Sequence, residues 1–459
     1  MKTSPIFRTG LAWHVTFLMV ACISRTFAAE TKTAAPPPAK VYEPRLIRTI
    51  QFGDYRSAFV RLGDLDNDGQ PEILLTQAVA HDNDQEKVQI TCLTALDLQG
   101  RILWQWGKPN PTNTYFGCEL ASQIYDQDGD GTNEVFFIED TRYILTILNG
   151  QTGKVKRQVP LQGGLNALLF ADLEGRGRPE NLVVKNVYTS FWTYDRDFRF
   201  MWGRTNDANT GHYPMNYDLD GDGKDELLSG YTLYNGKGRQ LWQQRELPLH
   251  NDATDIDDMD GDGQPEIAIA TSRDAVLLNA AGKILFRKKM GHCQHTLIGK
   301  FRADLPGKQV AYLDRYDVYK TNKDERRSGI SMFTMSGERI WKTTGDIWVA
   351  GIMKVDNWTG NPDENFVCAY SRGFEPATLL DGYGREVARF PLPAAIVKPG
   401  GGPDGKDVYE DYFVQHIDCH GDEREEILVF NTKELRIYTN PTLWQKQRLF
   451  NGTYYPGRL

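Results

Sequence analysis

The chain has no basic excess, little cysteine and no long apolar run, and each shortage removes a class of protein. Lysine and arginine number 53 against 61 acidic residues, for a net charge of −8. That balance withholds the broad basic face a nucleic acid needs. It still allows a local Arg/His cluster to hold an anionic substrate. The 6 cysteines are scattered, with no CxxC pair, and loss of Cys22 with a leader would leave an odd number. Neither a disulfide framework nor a zinc-thiolate site follows. The apolar run at residues 10–24 falls short of the ~20 residues a membrane span requires. No segment keeps a helical period.

What is present begins with an export signal. Lys2 and Arg8 precede the apolar run, and Thr26-Phe27-Ala28-Ala29 follows it, the order of a cleavable leader. Residues 1–29 are read as signal peptide, 30–42 as a linker containing Pro36, Pro37 and Pro38, and 43–459 as one domain. The mature protein is expected to be secreted or periplasmic, a monomer, without stable membrane insertion.

One phrase then recurs: an apolar lead-in, an Asp-rich loop with Gly, a Glu and a β-rich run. Residues 63–75 carry it, and it returns at 126–137, 218–228 and 258–270, with weaker copies at Asp172, Lys300, Asp356 and Asp418. Each copy leads to a second strand–Gly turn–strand signature, as in 93–104, 231–242, 275–286 and 331–341. The copies start 62, 46, 46, 40, 42, 56 and 62 residues apart. Four short strands per unit at ~40–50 residues are propeller blades. The expected fold is an all-β propeller of eight four-stranded blades, with seven as the alternative. The segment 41–52 is expected to complete the last sheet and close the ring.

The loops crowd hard oxygen donors. Four sets are intact: Asp64, Asp66, Asp68 and Glu72; Asp126, Asp128, Asp130 and Glu134; Asp218, Asp220, Asp222 and Glu226; Asp258, Asp260, Asp262 and Glu266. Such carboxylates repel one another unless a cation sits among them, and Ca²⁺ takes about 6–8 oxygens. Calcium is therefore the expected ion. Asp418, His420, Asp422 and Glu426 form a damaged copy, and the Asp172 loop places Arg176 at a ligand position. The repeat resembles the calcium loops of integrin-type propellers.

If the acidic loop joins the first and second strands of a blade, it lies at one end of the ring. Turns between second and third strands, and the blade-to-blade connections, lie at the other. His212, His250, His292 and His295 fall on three successive connections, Tyr188 follows a second strand, and Arg204 follows a fourth. These six are the candidate catalytic residues. A histidine cluster can act as general base, metal ligand or donor to an anionic sugar.

At these residues the chain is similar to the propeller polysaccharide lyases, a group including rhamnogalacturonan, ulvan and rhamnose–glucuronate lyases. The similarity is carried by His250, the 258–266 loop, Gly291-His292-Cys293-Gln294-His295 and Leu305-Pro306-Gly307, with a smaller contribution from Tyr454-Tyr455-Pro456-Gly457-Arg458-Leu459. Rhamnogalacturonan lyases of this kind are eight-bladed and ulvan lyases seven-bladed. The ulvan type pairs a Tyr with an Arg sixteen residues on, the spacing of Tyr188 and Arg204; Gln123 and Tyr143 stand where its earlier histidine pair would be. The resemblance implies β-elimination on an acidic polysaccharide, with Arg204 on the substrate carboxylate, Tyr188 as proton donor, and His250 or His292 as base. Two other readings stay open. One is a calcium-dependent propeller that binds carbohydrate or protein without catalysis. The other is a quinone-dependent dehydrogenase, from the hairpin at 93–104.

Overall fold

The computed structural model describes residues 36–57, 59–81, 84–112, 120–205, 210–315, 328–343, 349–370, 376–392, 397–398, 408–409 and 412–442. The leader, Cys22, Cys118, Trp348 and the 454–459 run lie outside the described residues. The chain divides into Met1–Pro38 and Ala39–Leu459, and the second unit is the subject below.

Among the described residues, its strands form eight four-stranded antiparallel sheets, the eight blades that the repeat predicts, and one two-stranded sheet, Val397–Lys398 with Val408–Tyr409. Blade one comprises Phe59–Gly63, Glu72–His81, Asp84–Leu96 and Ile102–Gly107. Blades two to seven follow at 122–160, 167–204, 215–243, 253–289, 293–342 and 351–390. Blade eight takes Phe413–Ile417, Glu426–Phe430 and Glu434–Thr439 from the C-terminal part. Its fourth strand is Arg45–Gln51, which pairs antiparallel with Glu434–Thr439, so that Thr49 faces Arg436. The first and last described strands thus share one sheet, as expected from residues 41–52.

Hydrophobicity grades across each blade. The second strands Glu134–Ile138 and Glu266–Ala270 are buried along their whole length, whereas the fourth strand Val155–Pro160 is nearly all exposed. An inner strand is covered on both faces by neighbouring blades, so it reads as a continuous apolar run. Each fully buried Val, Leu, Ile or Phe contributes about 1.5–3 kcal/mol. Polar side chains join first strands around the ring: Gln415 donates to Val60 O at 3.0 Å, Arg61 Nε to Ser122 O at 3.1 Å, and Ile298 N to Asp255 Oδ2 at 2.8 Å.

At the outer strands, tryptophans lock one blade onto the next. Indole N–H groups of Trp104, Trp202, Trp242 and Trp341 donate to the carbonyls of Gly150, Gly236, Ala280 and Gly382. These carbonyls lie in the turn between third and fourth strands of the following blade. That turn needs glycine. Gly282 has φ +79°, and a Cβ there would sit 2.7 Å from the Trp242 ring. Gly282→Ala is therefore expected to destabilise the protein by about 1–3 kcal/mol, through overpacking and a disfavoured backbone. A melting temperature within error of wild type would contradict this reading of the blade contact.

Each acidic loop does join first to second strands, at 64–71, 126–133, 218–225 and 258–265. In an antiparallel sheet this puts them at one end of the strands. The turns from second to third strands and the blade-to-blade connections lie at the opposite end.

Candidate active site

The turn between Asn181–Asn186 and Ser190–Tyr194 carries Tyr188, whose φ is 62°. It is fixed from both sides: Tyr188 N donates to Gly211 O at 3.2 Å, and Thr210 N to Tyr188 O at 3.1 Å. The fully buried Lys185 donates to the same Gly211 carbonyl at 2.6 Å. His212 follows at once, its N–H held by Asn251 O at 3.0 Å. His250 lies behind Leu249, which has φ 55°, and Ser272 in the next turn has φ 51°. Among the described residues, seven non-glycines have positive φ, and three of them gather here. Strain of this kind persists where the surrounding structure over-determines it, and it concentrates at functional sites. His292 is positioned through its backbone N–H, bonded to Asp314 Oδ1 at 2.8 Å.

These side chains converge on a residue the sequence reading passed over, Asp252. Its side chain is 1% exposed. Asp252 Oδ1 lies 3.2 Å from His250 Nε2, 3.6 Å from His212 Nε2 and 3.8 Å from His292 Nε2. The Gln294 amide donates to the same oxygen at 2.9 Å, while Ser272 Oγ bonds Oδ2. Burial alone would raise the Asp252 carboxyl. Hydrogen bonds from His250, His292 and Ser272 outweigh it and hold the group well below the usual carboxylate range. The Tyr188 hydroxyl is 2.8 Å from His212 Nε2, and the Tyr188 ring packs edge-on to His212 and His250 with centroids 4.9 Å apart.

Two expected members sit differently. His295 lies inside the first strand of blade six, with Nδ1 3.3 Å from Ile352 O. Its ring is enclosed enough that burial pushes its pKa down to about 4, so it is neutral at pH 7 and faces the neighbouring strand. Arg204 donates to Gly203 O at 2.9 Å and Gly238 O at 2.7 Å, and its guanidinium stacks 4.8 Å from the Tyr234 ring. Its contacts belong to the turn of blade four, away from those of Tyr188 and the histidines. The guanidinium bonded into the cluster is Arg315, which donates to Gln294 Oε1 at 3.2 Å; that oxygen also lies 3.1 Å from His292 Nε2. Trp192 is buried in the core, and Trp202 packs half-buried against a neighbouring core cluster.

At the other end of the strands, carboxylate oxygens of Asp64, Asp66 and Glu72 lie within 4.8 Å of one another, as do those of Asp126, Asp128 and Glu134, of Asp218, Asp220 and Glu226, and of Asp258, Asp260 and Asp262. Burial, followed by the neighbouring aspartates, pushes Glu72 up to about 8 and Glu226 to about 7. The donor set fits a hard divalent cation. Blade two differs, because Lys156 Nζ spans its loop, 2.5 Å from the buried Glu134 Oε1, 3.3 Å from Asp128 Oδ2 and 3.6 Å from Asp130 Oδ2, whereas Lys224 in blade four meets only Asp222 Oδ2, at 2.8 Å. The degenerate loops also carry basic side chains. Arg196 lies 3.6 Å from Glu180, and His420 Nδ1 lies 3.0 Å from Glu426.

No family profile matches the sequence, and no curated protein does. Among solved structures, a Bacillus licheniformis rhamnogalacturonan lyase is 20% identical, with TM-score 0.59 over 90% of this chain and 79% of that one. The rhamnogalacturonan lyase YesW gives TM-score 0.58 at 20% identity, over 90% and 77%. The Vibrio cholerae biofilm matrix protein Bap1 gives 0.57 at 13% identity, over 89% of each chain. The chain therefore has the eight-bladed propeller fold, and rhamnogalacturonan lyases stand among the structures it resembles.

Proposed function

We propose that the protein is an exported lyase that cleaves a rhamnose–uronate polysaccharide by β-elimination. The supporting observation is the convergence of His212, His250 and His292 on one buried carboxylate, with the Tyr188 hydroxyl bonded to His212, in a fold that rhamnogalacturonan lyases share. In such a reaction a base removes the C5 proton of the uronate. The electron pair forms the C4–C5 double bond, the C4–O bond breaks, and the departing oxygen takes a proton. A base within hydrogen-bond reach contributes about 10²–10⁴-fold. His292 or His250 would accept the proton, with Asp252 orienting the imidazoles, and Tyr188 would protonate the leaving oxygen. The basic, apolar and small-residue order of residues 1–29 supports export.

The substrate carboxylate must be neutralised as negative charge builds on C5. Arg315 suits this task better than Arg204, whose guanidinium is engaged at Gly238 and Tyr234. Loss of one such interaction typically costs about 3–4 kcal/mol of barrier. Arg315→Ala should therefore lower kcat/KM by two to three orders of magnitude, while Arg204→Ala stays within about tenfold of wild type and mainly lowers the melting temperature. The reverse ranking would return the carboxylate to Arg204.

A non-catalytic binding propeller is the second reading, and the likeness to a biofilm matrix protein favours it. The two separate on product, since only a lyase makes an ultraviolet-absorbing unsaturated uronate.

We further infer that calcium occupies the acidic loops of blades one, four and five, where it would clamp the hairpins. Lys156 fills the equivalent place in blade two. Calcium binding to the native state alone stabilises it, so EDTA should lower the melting temperature by several degrees. Metal analysis should give three calcium ions per chain in wild type and four in Lys156→Ala. An unchanged melting curve with no bound calcium would overturn the calcium assignment, and four ions in wild type would overturn the lysine substitution.

A further inference from the structure

Beside the histidine cluster, blade five ends in a run of unpaired positive charge. Its first strand Ala253–Asp257 starts just after His250 and Asp252, Thr271, Ser272 and Arg273 join its second and third strands, and its fourth strand Ile284–Lys289 finishes on Lys288 and Lys289. The turn and the strand end lie side by side: Lys289 pairs with Asp274 in the ladder, and Met290 N donates to Arg273 O at 2.7 Å. Arg273, Lys288 and Lys289 are all exposed, and their side chains bond no carboxylate among the described residues. The nearby carboxylates are already engaged, Asp252 by the histidines and Asp274 by Arg287 at 2.6 Å. Arg245, on the connection from blade four, is exposed and bonded only to Gln243 Oε1, at 3.1 Å, with Glu246 exposed beside it. Four exposed cations outside any ion pair thus stand against one exposed carboxylate at this end of blade five, in a chain whose net charge is −8. The neighbours are not built this way. The equivalent turn of blade four, Gly230-Tyr231, has no charge, and that of blade two carries Glu139 and Asp140 against Arg142.

We propose that this end of blade five is a binding track for an anionic polysaccharide, which runs outward from the histidine cluster with successive uronate carboxylates on Arg273 and then on Lys288 and Lys289. The proposal deepens the reading of the cluster as the reacting site, and it rests on that reading. A local excess of one sign sets the potential of its own cleft against the charge of the whole protein. Adjacent strands lie ~4.8 Å apart, so the row extends about 14 Å from the first strand of the blade to the fourth. That length suits several linked sugars rather than a single sugar acid. Arg273 can grip a carboxylate with its planar fork, while the two lysines act as point charges. Exposed charge pairs are weak singly, so the track favours a polymer that engages several at once.

The test measures binding of a high-molecular-weight rhamnogalacturonan to the full chain by calorimetry, with dextran as the neutral control. An exposed charge pair is worth up to about fivefold in affinity. A variant combining Arg273→Ala, Lys288→Ala and Lys289→Ala should therefore bind about 10- to 50-fold more weakly than wild type, with a shallower salt dependence. Its melting temperature should not change, since all three side chains are exposed. A second variant combining Lys237→Ala, Arg239→Ala and Lys283→Ala removes three exposed cations from turns at the acidic-loop end, and it should bind like wild type. The track is overturned if wild type does not bind rhamnogalacturonan or binds dextran as well, if the first variant binds undiminished, or if both variants weaken equally. Weakening confined to the first variant, with no unsaturated product from wild type, sinks the lyase reading and keeps the track. Product formation with undiminished binding in the first variant does the opposite.

Discussion

Tyr188→Phe is expected to reduce the rate of polysaccharide elimination by about 10²–10⁴-fold, the usual contribution of a positioned proton donor. The ring remains in the variant, so its edge-on contacts with His212 and His250 survive; only the hydroxyl 2.8 Å from His212 Nε2 is removed. Folding should change little, because the backbone at Tyr188 is pinned by Gly211 O and Thr210 N rather than by the phenol. The loss should appear in kcat with KM nearly unchanged, as for an interaction made mainly in the transition state. A variant retaining wild-type kcat would remove Tyr188 from the chemistry and leave it as packing for the histidines.

The second large effect concerns ring closure. Deleting residues 36–52 removes the strand paired with Glu434–Thr439 and takes Tyr42, Ile50 and Phe52 out of the core, where they are 7%, 2% and 0% exposed. It also leaves the Glu434–Thr439 strand as an unpaired edge, a template for aggregation. A domain stable by about 5–15 kcal/mol cannot absorb this loss, and the truncated chain should be recovered insoluble or unfolded. Phe52→Ala is the graded version, expected to cost about 3–5 kcal/mol. Denaturant unfolding of that variant measures the contribution, and a truncated chain melting like wild type would contradict N-terminal closure.

The architecture was legible because the information sits in local chemistry repeated along the chain. An Asp-x-Asp-x-Asp-Gly loop ending in Glu fixes a turn wherever it occurs, and the same glycine (Gly69, φ +86°) appears at each intact copy. The convergence of His212, His250, His292 and Tyr188 was also readable, since chain direction alone assigns loops to ends. Side-chain orientation was not readable in the same way. Arg204 was placed by its position at the end of a fourth strand, yet it follows Trp202 by two residues. Side chains two apart share a face, so it turns with that tryptophan onto blade four. Asp252 escaped notice because one acidic residue ahead of a strand looks like any polar lead-in. The signal was its place between His250 and the His292–Gln294 pair. Lys156 lies on an exposed outer strand and reaches its loop only through the fold, so no local pattern marks it as a substitute cation.

The central claim is that the histidine–tyrosine cluster carries out β-elimination, and the product tests it most directly. Purified protein, supplied with calcium, is incubated with a panel of rhamnose–uronate polymers while ultraviolet absorbance is followed. The account predicts a steady rise from unsaturated uronate on at least one polymer, slowed by about 10²–10⁴-fold in Tyr188→Phe. Tight binding to such a polymer with no rise in absorbance would contradict it, and would make this propeller a carbohydrate-recognition protein.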